Sequence, residues 1–257
     1  TQQYGKTTIV AHGDDQQIKA MGTLTILPEI ILIQPSEDIV GSFVTVRGNG
    51  YGAFELIHIL FGVSPTITTT STDAYGSFTT IFTVDTQSVG TTTIKAVGMQ
   101  TNQPVSKYEF RIIPNLTGVT PSQGTVGTII TMQGDGYLAN EKVQIDFGTT
   151  RTITTVSANQ SGSFTTTFTI DTQPYGTTRI RVTGLTSNVI SANLIVTILP
   201  NIILITPKEG TVGTIVTVQG NGYGANRVIR LEFGTTPTIQ LTSTYAQGSF
   251  TTTFTID

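Results

Sequence analysis

Gly162-Ser163-Phe164-Thr165-Thr166-Thr167-Phe168-Thr169-Ile170-Asp171 is the stretch on which the reading of this chain turns. Written as a strand, it puts Phe164, Thr166, Phe168 and Ile170 on one face and Thr165, Thr167 and Thr169 on the other. Gly162 opens it, and Asp171 leads into the turn Thr172-Gln173-Pro174-Tyr175-Gly176. The stretch returns almost letter for letter at Gly76–Asp85 and Gly248–Asp257, so its glycines stand 86 residues apart. A period of that size marks a tandem array of small units.

Working outward, the copies extend over 29–114 and 115–200 as whole repeats, with 201–257 as the first two-thirds of a third. Residues 1–28 are the last third of a repeat. Tyr4 to Gly13 matches Tyr175 to Gly184 in pattern, and Thr23 to Pro28 matches Ile195 to Pro200. Within the middle copy the alternation predicts seven short strands, near 115–120, 127–133, 142–147, 151–157, 162–170, 177–183 and 190–199. Glycines and turn residues punctuate them. Seven strands in one repeat with no helical period specify an all-β chain of immunoglobulin-like sandwiches. The inward residues are Ile130 and Met132, Val143, Ile145 and Phe147, Phe164 and Phe168, and Ile180 and Val182. Between copies only a Pro-Asn or Pro-Glu step separates the last strand of one from the first of the next. Such joints are stiffer than Gly/Ser coil, and an extended rod is expected.

Composition narrows the function. Threonine supplies 52 of the 257 residues, which suits strands and disfavours helices. Cysteine is absent, which removes disulfides and thiolate metal sites. The net charge is −3 and Lys and Arg are not clustered, so no nucleic-acid surface is expected. No apolar run reaches the ~18 residues of a membrane helix. The chain opens on Thr1, without a start methionine or an apolar leader. It is expected to be a processed form of, or a window on, a longer polypeptide.

The segment from Thr120-Pro121-Ser122-Gln123-Gly124 through Gly134-Asp135-Gly136-Tyr137 to the strand ending Phe147-Gly148 resembles the IPT/TIG-type immunoglobulin-like repeat. The same pattern stands at 35–62 and 207–234, and the likeness covers the whole chain. The Gly-Ser-Phe-Thr strand is similar to a variant of large prokaryotic surface proteins. Where many members carry Gly-Gly, this chain has Val126-Gly127. The resemblance implies the fold, an extracellular or cell-surface location and a spacer, stalk, layer or adhesin role. It implies no catalytic activity and no cofactor.

Candidate chemistry is sparse. His12 and His58 do not recur between copies, and nothing in the pattern brings them to a nucleophile and an acid, so no catalytic residue is assigned. Asp85, Asp171 and Asp257 recur. A lone carboxylate makes a poor calcium site, and these are expected to bond backbone N–H groups of the following turn. The Gly-x-Gly-Tyr loops at 48–51, 134–137 and 220–223 lack the helix and lysine of a phosphate cradle. They are expected to be turns with the tyrosine packed at the sandwich end. Asn115 and Asn159 head Asn-x-Ser/Thr sequons and are candidate glycosylation sites. On the first whole copy, Leu56, His58 and Leu60 face outward where the sisters carry Lys142, Gln144, Asp146 and Val228, Arg230, Glu232. With Val97 on the neighbouring strand they form a candidate lateral interface.

Taken together, the sequence specifies a structural, non-enzymatic protein of tandem repeats that continues head to tail. The alternative is an adhesin or carbohydrate-binding module. Running from Thr255-Ile256-Asp257 into Thr1-Gln2-Gln3-Tyr4-Gly5 reproduces the middle of a repeat, and the length is one residue short of three repeats, from a deletion between Gly13 and Thr25. Two arrangements meet this: covalent continuation beyond 257, or donation of N-terminal strands from one subunit to the next. The expected partners are therefore copies of the chain or continuing repeats, with glycans as a further possibility.

Overall fold

The computed structural model describes residues 2–14, 19–101 and 107–257. Its described residues form strands and turns, with no helix long and apolar enough to cross a membrane. The chain divides into two compact units, 1–114 and 115–257.

In the first unit, β1 (Gly5–His12) and β2 (Lys19–Ile26) form an antiparallel hairpin. β3 (Glu29–Gln34), β4 (Glu37–Asp38), β5 (Phe43–Asn49), β6 (Leu56–Phe61), β7 (Ser64–Ser71), β8 (Phe78–Thr83), β9 (Gly90–Gly98) and β10 (Lys107–Ile112) follow. They build two sheets, ordered β3-β5-β8 and β4-β10-β9-β6-β7. Inward residues of both meet in one core, in which Val46, Ile57, Ile59, Phe61, Ile94 and Phe110 are fully buried.

The second unit repeats this with β11 (Asn115–Thr120), β12 (Gln123–Gly124), β13 (Ile129–Asp135), β14 (Lys142–Phe147), β15 (Thr150–Ser157), β16 (Phe164–Thr169), β17 (Gly176–Gly184) and β18 (Ile190–Ile198). The sheets are β11-β13-β16 and β12-β18-β17-β14-β15. Two largely antiparallel sheets packed face to face in this order make an immunoglobulin-like sandwich. The organising stretch is its β16, with Phe164, Phe168 and Ile170 buried and Thr165, Thr167 and Thr169 outside the core. Its ring partners are Tyr137, edge-on at 5.3 Å, and Phe147, tilted at 5.1 Å.

One detail departs from seven strands. The first strand is broken at Pro35 and at Pro121, and the chain crosses there to the other sheet. The short pieces β4 and β12 then pair parallel with β10 and β18. Proline cannot donate to a ladder, so the break falls where a strand must leave its partner.

The rest of the second unit is β19 (Asn201–Thr206), β20 (Ile215–Asn221), β21 (Val228–Phe233), β22 (Thr236–Ser243) and β23 (Phe250–Thr255). The sheet β19-β20-β23 is whole, but β21 and β22 form a pair on their own. The core is correspondingly thin: Val216, Val218 and Phe250 are buried, whereas Ile229, Leu231 and Phe254 are only half-covered.

Candidate functional site

The functional geometry gathers where one repeat hands over to the next. Each Gly-x-Gly-Tyr loop is a turn with its second glycine at positive φ: +75° at Gly50, +75° at Gly136 and +72° at Gly222. The first glycine leaves room for a ring, since a Cβ on Gly48 would run into Phe78. The second meets the preceding repeat, since a Cβ on Gly50 would lie 2.5 Å from the Leu27 carbonyl oxygen, and one on Gly222 would clash in the same way with that of Leu199. Tyr51 and Tyr137 close the sandwich end fully buried. Burial pushes both hydroxyl pKa values up, that of Tyr137 to about 12. The tyrosine backbones of the first and third loops carry the handover: Tyr4 N–H donates to the Tyr51 carbonyl (3.1 Å), and Tyr175 N–H to that of Tyr223 (2.9 Å).

Gly222→Ala should therefore loosen this joint. Left-handed backbone costs an L-residue about 1–2 kcal/mol before the clash with Leu199 is added. Amide exchange at Tyr175 should speed at least tenfold, and unchanged exchange there would refute the assignment.

Beside the loop sits a clasp. Glu55 is buried and accepts N–H groups from Gly52 (2.7 Å), Gln100 (2.7 Å) and Thr101 (2.5 Å), tying the start of β6 to the loop after β9. Burial alone would raise its pKa, but the N–H groups of Thr101, Gly52 and Gln100 hold the carboxyl below the usual range. Glu141 repeats this with the N–H groups of Leu138, Thr186 and Ser187 and the Ser187 hydroxyl. In the third copy the column holds Arg227, exposed and in no ion pair among the described residues.

The third sandwich is open along one side. In complete copies β6 lies between β7 and β9, and β14 between β15 and β17. β21 has β22 on one edge and, among the described residues, no strand on the other. The exposed side is an apolar groove of about 530 Å³ lined by Ile202, Ile205, Val216, Leu231, Phe233 and Phe254. Phe233 is 39% exposed, while Phe61 and Phe147 in its column are fully buried. The β1–β2 hairpin shows the converse. Ile9 and Leu24 are 56% and 49% exposed, in columns where Ile180 and Val196 are fully buried.

The residues singled out from the sequence are distributed over several surfaces. On the outer face of the first complete sandwich, Leu56 is exposed and His58, Leu60 and Val97 half-buried; His58 is directly opposite Val97. Lys95 stands opposite Leu60 and brings a charge into that patch. Asn159 lies exposed in a turn, its Oδ1 accepting the N–H groups of Ser161 (2.9 Å) and Ser163 (3.0 Å). Asn115 is half-buried at the start of β11. The recurring aspartates bond differently from expectation. Asp85 accepts Gln87 Nε2 (2.6 Å) and the Ser64 hydroxyl, and Asp171 accepts Gln173 Nε2 (2.9 Å) and the Thr150 hydroxyl. The glutamine, buried two residues on, fills the role given to turn amides and also donates to the Phe61 or Phe147 carbonyl. Among the described residues no three His, Asp or Glu groups converge as metal ligands. The glutamate clasp and the buried glutamines were missed, although both are visible as columns when the copies are aligned.

A macroglobulin-like domain model matches residues 114–195. No curated protein matches the chain. Among solved structures, the Yersinia pseudotuberculosis adhesin InvE is 14% identical, with 74% of this chain and 66% of that one covered and a TM-score of 0.32. The D0-D1 domain of intimin is 12% identical, with 67% and 100% covered and a TM-score of 0.28. The ICAM-5 D1-D4 ectodomain fragment is 14% identical, with 99% and 84% covered and a TM-score of 0.25.

Proposed function

We propose that this chain is a non-enzymatic structural protein of the cell surface or extracellular space. Its immunoglobulin-like repeats, of IPT/TIG type, continue head to tail through the split end domain as a stalk, surface layer or filament. The observation that carries the reading is the match between the two open parts: a half-core on β19–β23 and an apolar hairpin, β1–β2, in the same repeat register. Each part alone leaves apolar area in water at about 25 cal/mol per Å², and joining them removes it. Electron microscopy of the purified chain should show unbranched polymers. Monomers at all concentrations, with specific binding on a glycan array, would favour the adhesin or carbohydrate-binding alternative instead.

Once polymers exist, Leu56, His58, Leu60 and Val97 are the surface through which they pack sideways, and Asn115 and Asn159 the positions for glycans. Leu56→Lys with Leu60→Glu should leave polymer length intact and thin the bundles to single strands. Bundles of unchanged thickness would remove this face from consideration.

A further inference from the structure

The recurring aspartates stand between a hydroxyl and a carboxamide. Asp171 accepts the Thr150 hydroxyl at Oδ2 and Gln173 Nε2 at Oδ1 (2.9 Å), and Nε2 lies 3.4 Å from Thr150 Oγ1. Gln173 is 1% exposed, and its Oε1 accepts the Thr149 N–H and hydroxyl, both at 3.3 Å. A hydroxyl, a carboxylate touching it, an amide carbonyl and donors on that carbonyl's oxygen are the parts of an acyl transfer. We propose that the second complete sandwich crosslinks itself here, through an ester between Thr150 Oγ1 and Gln173 Cδ. The proposal goes beyond the stalk or layer reading and does not depend on it, because every group belongs to one sandwich.

The step balances within the site. Thr150 Oγ1 attacks Cδ as its proton passes to Asp171 Oδ2. The carbonyl electron pair moves to Oε1, where the two Thr149 donors hold the negative charge. As the carbonyl re-forms, the Cδ–Nε2 bond breaks and the Asp171 carboxyl gives its proton to the departing nitrogen. Ammonia leaves, and Asp171 is a carboxylate again. One bond forms, Oγ1–Cδ, and one breaks, with no oxidant or second substrate required. Asp171 is in no ion pair among the described residues, so no cation competes for the proton's place. Holding both reactants in one fold supplies an effective concentration of about 10⁵ M or more. Burial of the glutamine then keeps water from the ester.

Three features support a reacting site over a plain hydrogen-bond network. Gly148, at a φ of +55°, leaves open the space beside Oε1 that a Cβ would fill. The hydroxyl column reads Ser64, Thr150 and Thr236, so the oxygen is kept where the methyl is not. The first complete sandwich repeats the set: Asp85 accepts the Ser64 hydroxyl at Oδ2 and Gln87 Nε2 at Oδ1 (2.6 Å), and Val63 N–H lies 3.2 Å from Gln87 Oε1. The same ester is expected there between Ser64 and Gln87. Position gives the bond a use. β15 is the edge of the five-stranded sheet and β16 that of the three-stranded one. An ester from the start of β15 to the loop after β16 ties the two sheets along a side where no ladder joins them.

The test is the mass of the full 257-residue chain after denaturation. Each ester removes one ammonia, so two bonds should leave the chain about 34 Da lighter than its sequence. Trypsin, cutting after Lys142, Arg151 and Arg179, should release 143–151 joined to 152–179, at about 17 Da below their sum, and 48–95 lighter by the same amount. Hydroxylamine should part the joined pair, since it opens esters and spares amides. Asp171→Asn keeps the shape of the side chain without its base, and should yield the two peptides separate and at full mass. Separate peptides from the parent chain would overturn the proposal, a result that needs no variant to fold. A joined pair that still forms in Asp171→Asn would overturn it too, because the aspartate would then take no part. A full-mass 48–95 peptide would overturn the assignment for the first sandwich.

Discussion

Placing cysteines at Leu231 and Ala11 together will turn the chain, which has no cysteine of its own, into a ladder of disulfide-linked oligomers on non-reducing gels. In complete sandwiches these columns are Ile59 opposite Ala96 and Ile145 opposite Val182. Leu56 accepts the Met99 N–H and Lys142 the Leu185 N–H, so pairing alternates and the chosen columns are non-hydrogen-bonded. Such pairs bring Cα atoms to about 4.5 Å, within disulfide range. Either cysteine alone can give at most a dimer, whereas both propagate, because a head-to-tail contact that does not close continues indefinitely. The control pairs Leu231→Cys with Thr8→Cys, whose side chain lies on the opposite face of β1 and should give no ladder. A double variant that stays monomeric with both thiols free would exclude hairpin entry in this register.

The second large effect is internal to a complete repeat. Glu55→Ala removes one carboxylate that accepts three backbone N–H groups and leaves those donors in a closed site. Hydrogen bonds to a charged group contribute about 1.5–3 kcal/mol each, and their loss is not additive, so a cost of about 3–4 kcal/mol to the 29–114 sandwich is expected. Amide exchange at Gln100 and Thr101 should rise with it. Because the carboxyl is held below its usual pKa, its contribution is complete above the ordinary carboxylate range and disappears as pH falls through the lowered folded-state value. Acid should therefore release this loop in the parent and change little in the variant. Arg227→Ala, by contrast, should alter the stability of the unassembled chain by no more than about 0.5 kcal/mol, since that side chain is exposed. A denaturation midpoint for Glu55→Ala equal to the parent's would show that the clasp contributes nothing.

The chain's β-sheet core is legible in the sequence because its signals are local. Period-two alternation in 162–171 dictates which side chains face inward, and Phe164, Phe168 and Ile170 are buried accordingly. The glycines of 48–50 and 220–222 announced turns, since a positive φ is costly for other residues. Where the sequence misled, a long-range partner was responsible. Asp85 and Asp171 look like residues of the next turn, but a buried glutamine and a hydroxyl from a distant strand take their oxygens. Pro35 and Pro121 are equally plain in the sequence, yet only the sheet pairing shows the strand changing sheets there.

The all-β class, the repeat and the inward face of each strand can be read from residue order, because a pleated strand sorts its side chains by nearest neighbours alone. What Glu55 and Glu141 do emerges only in the folded chain. Their partners lie 45 and 46 residues away, and an acid in a loop has no local signature of burial.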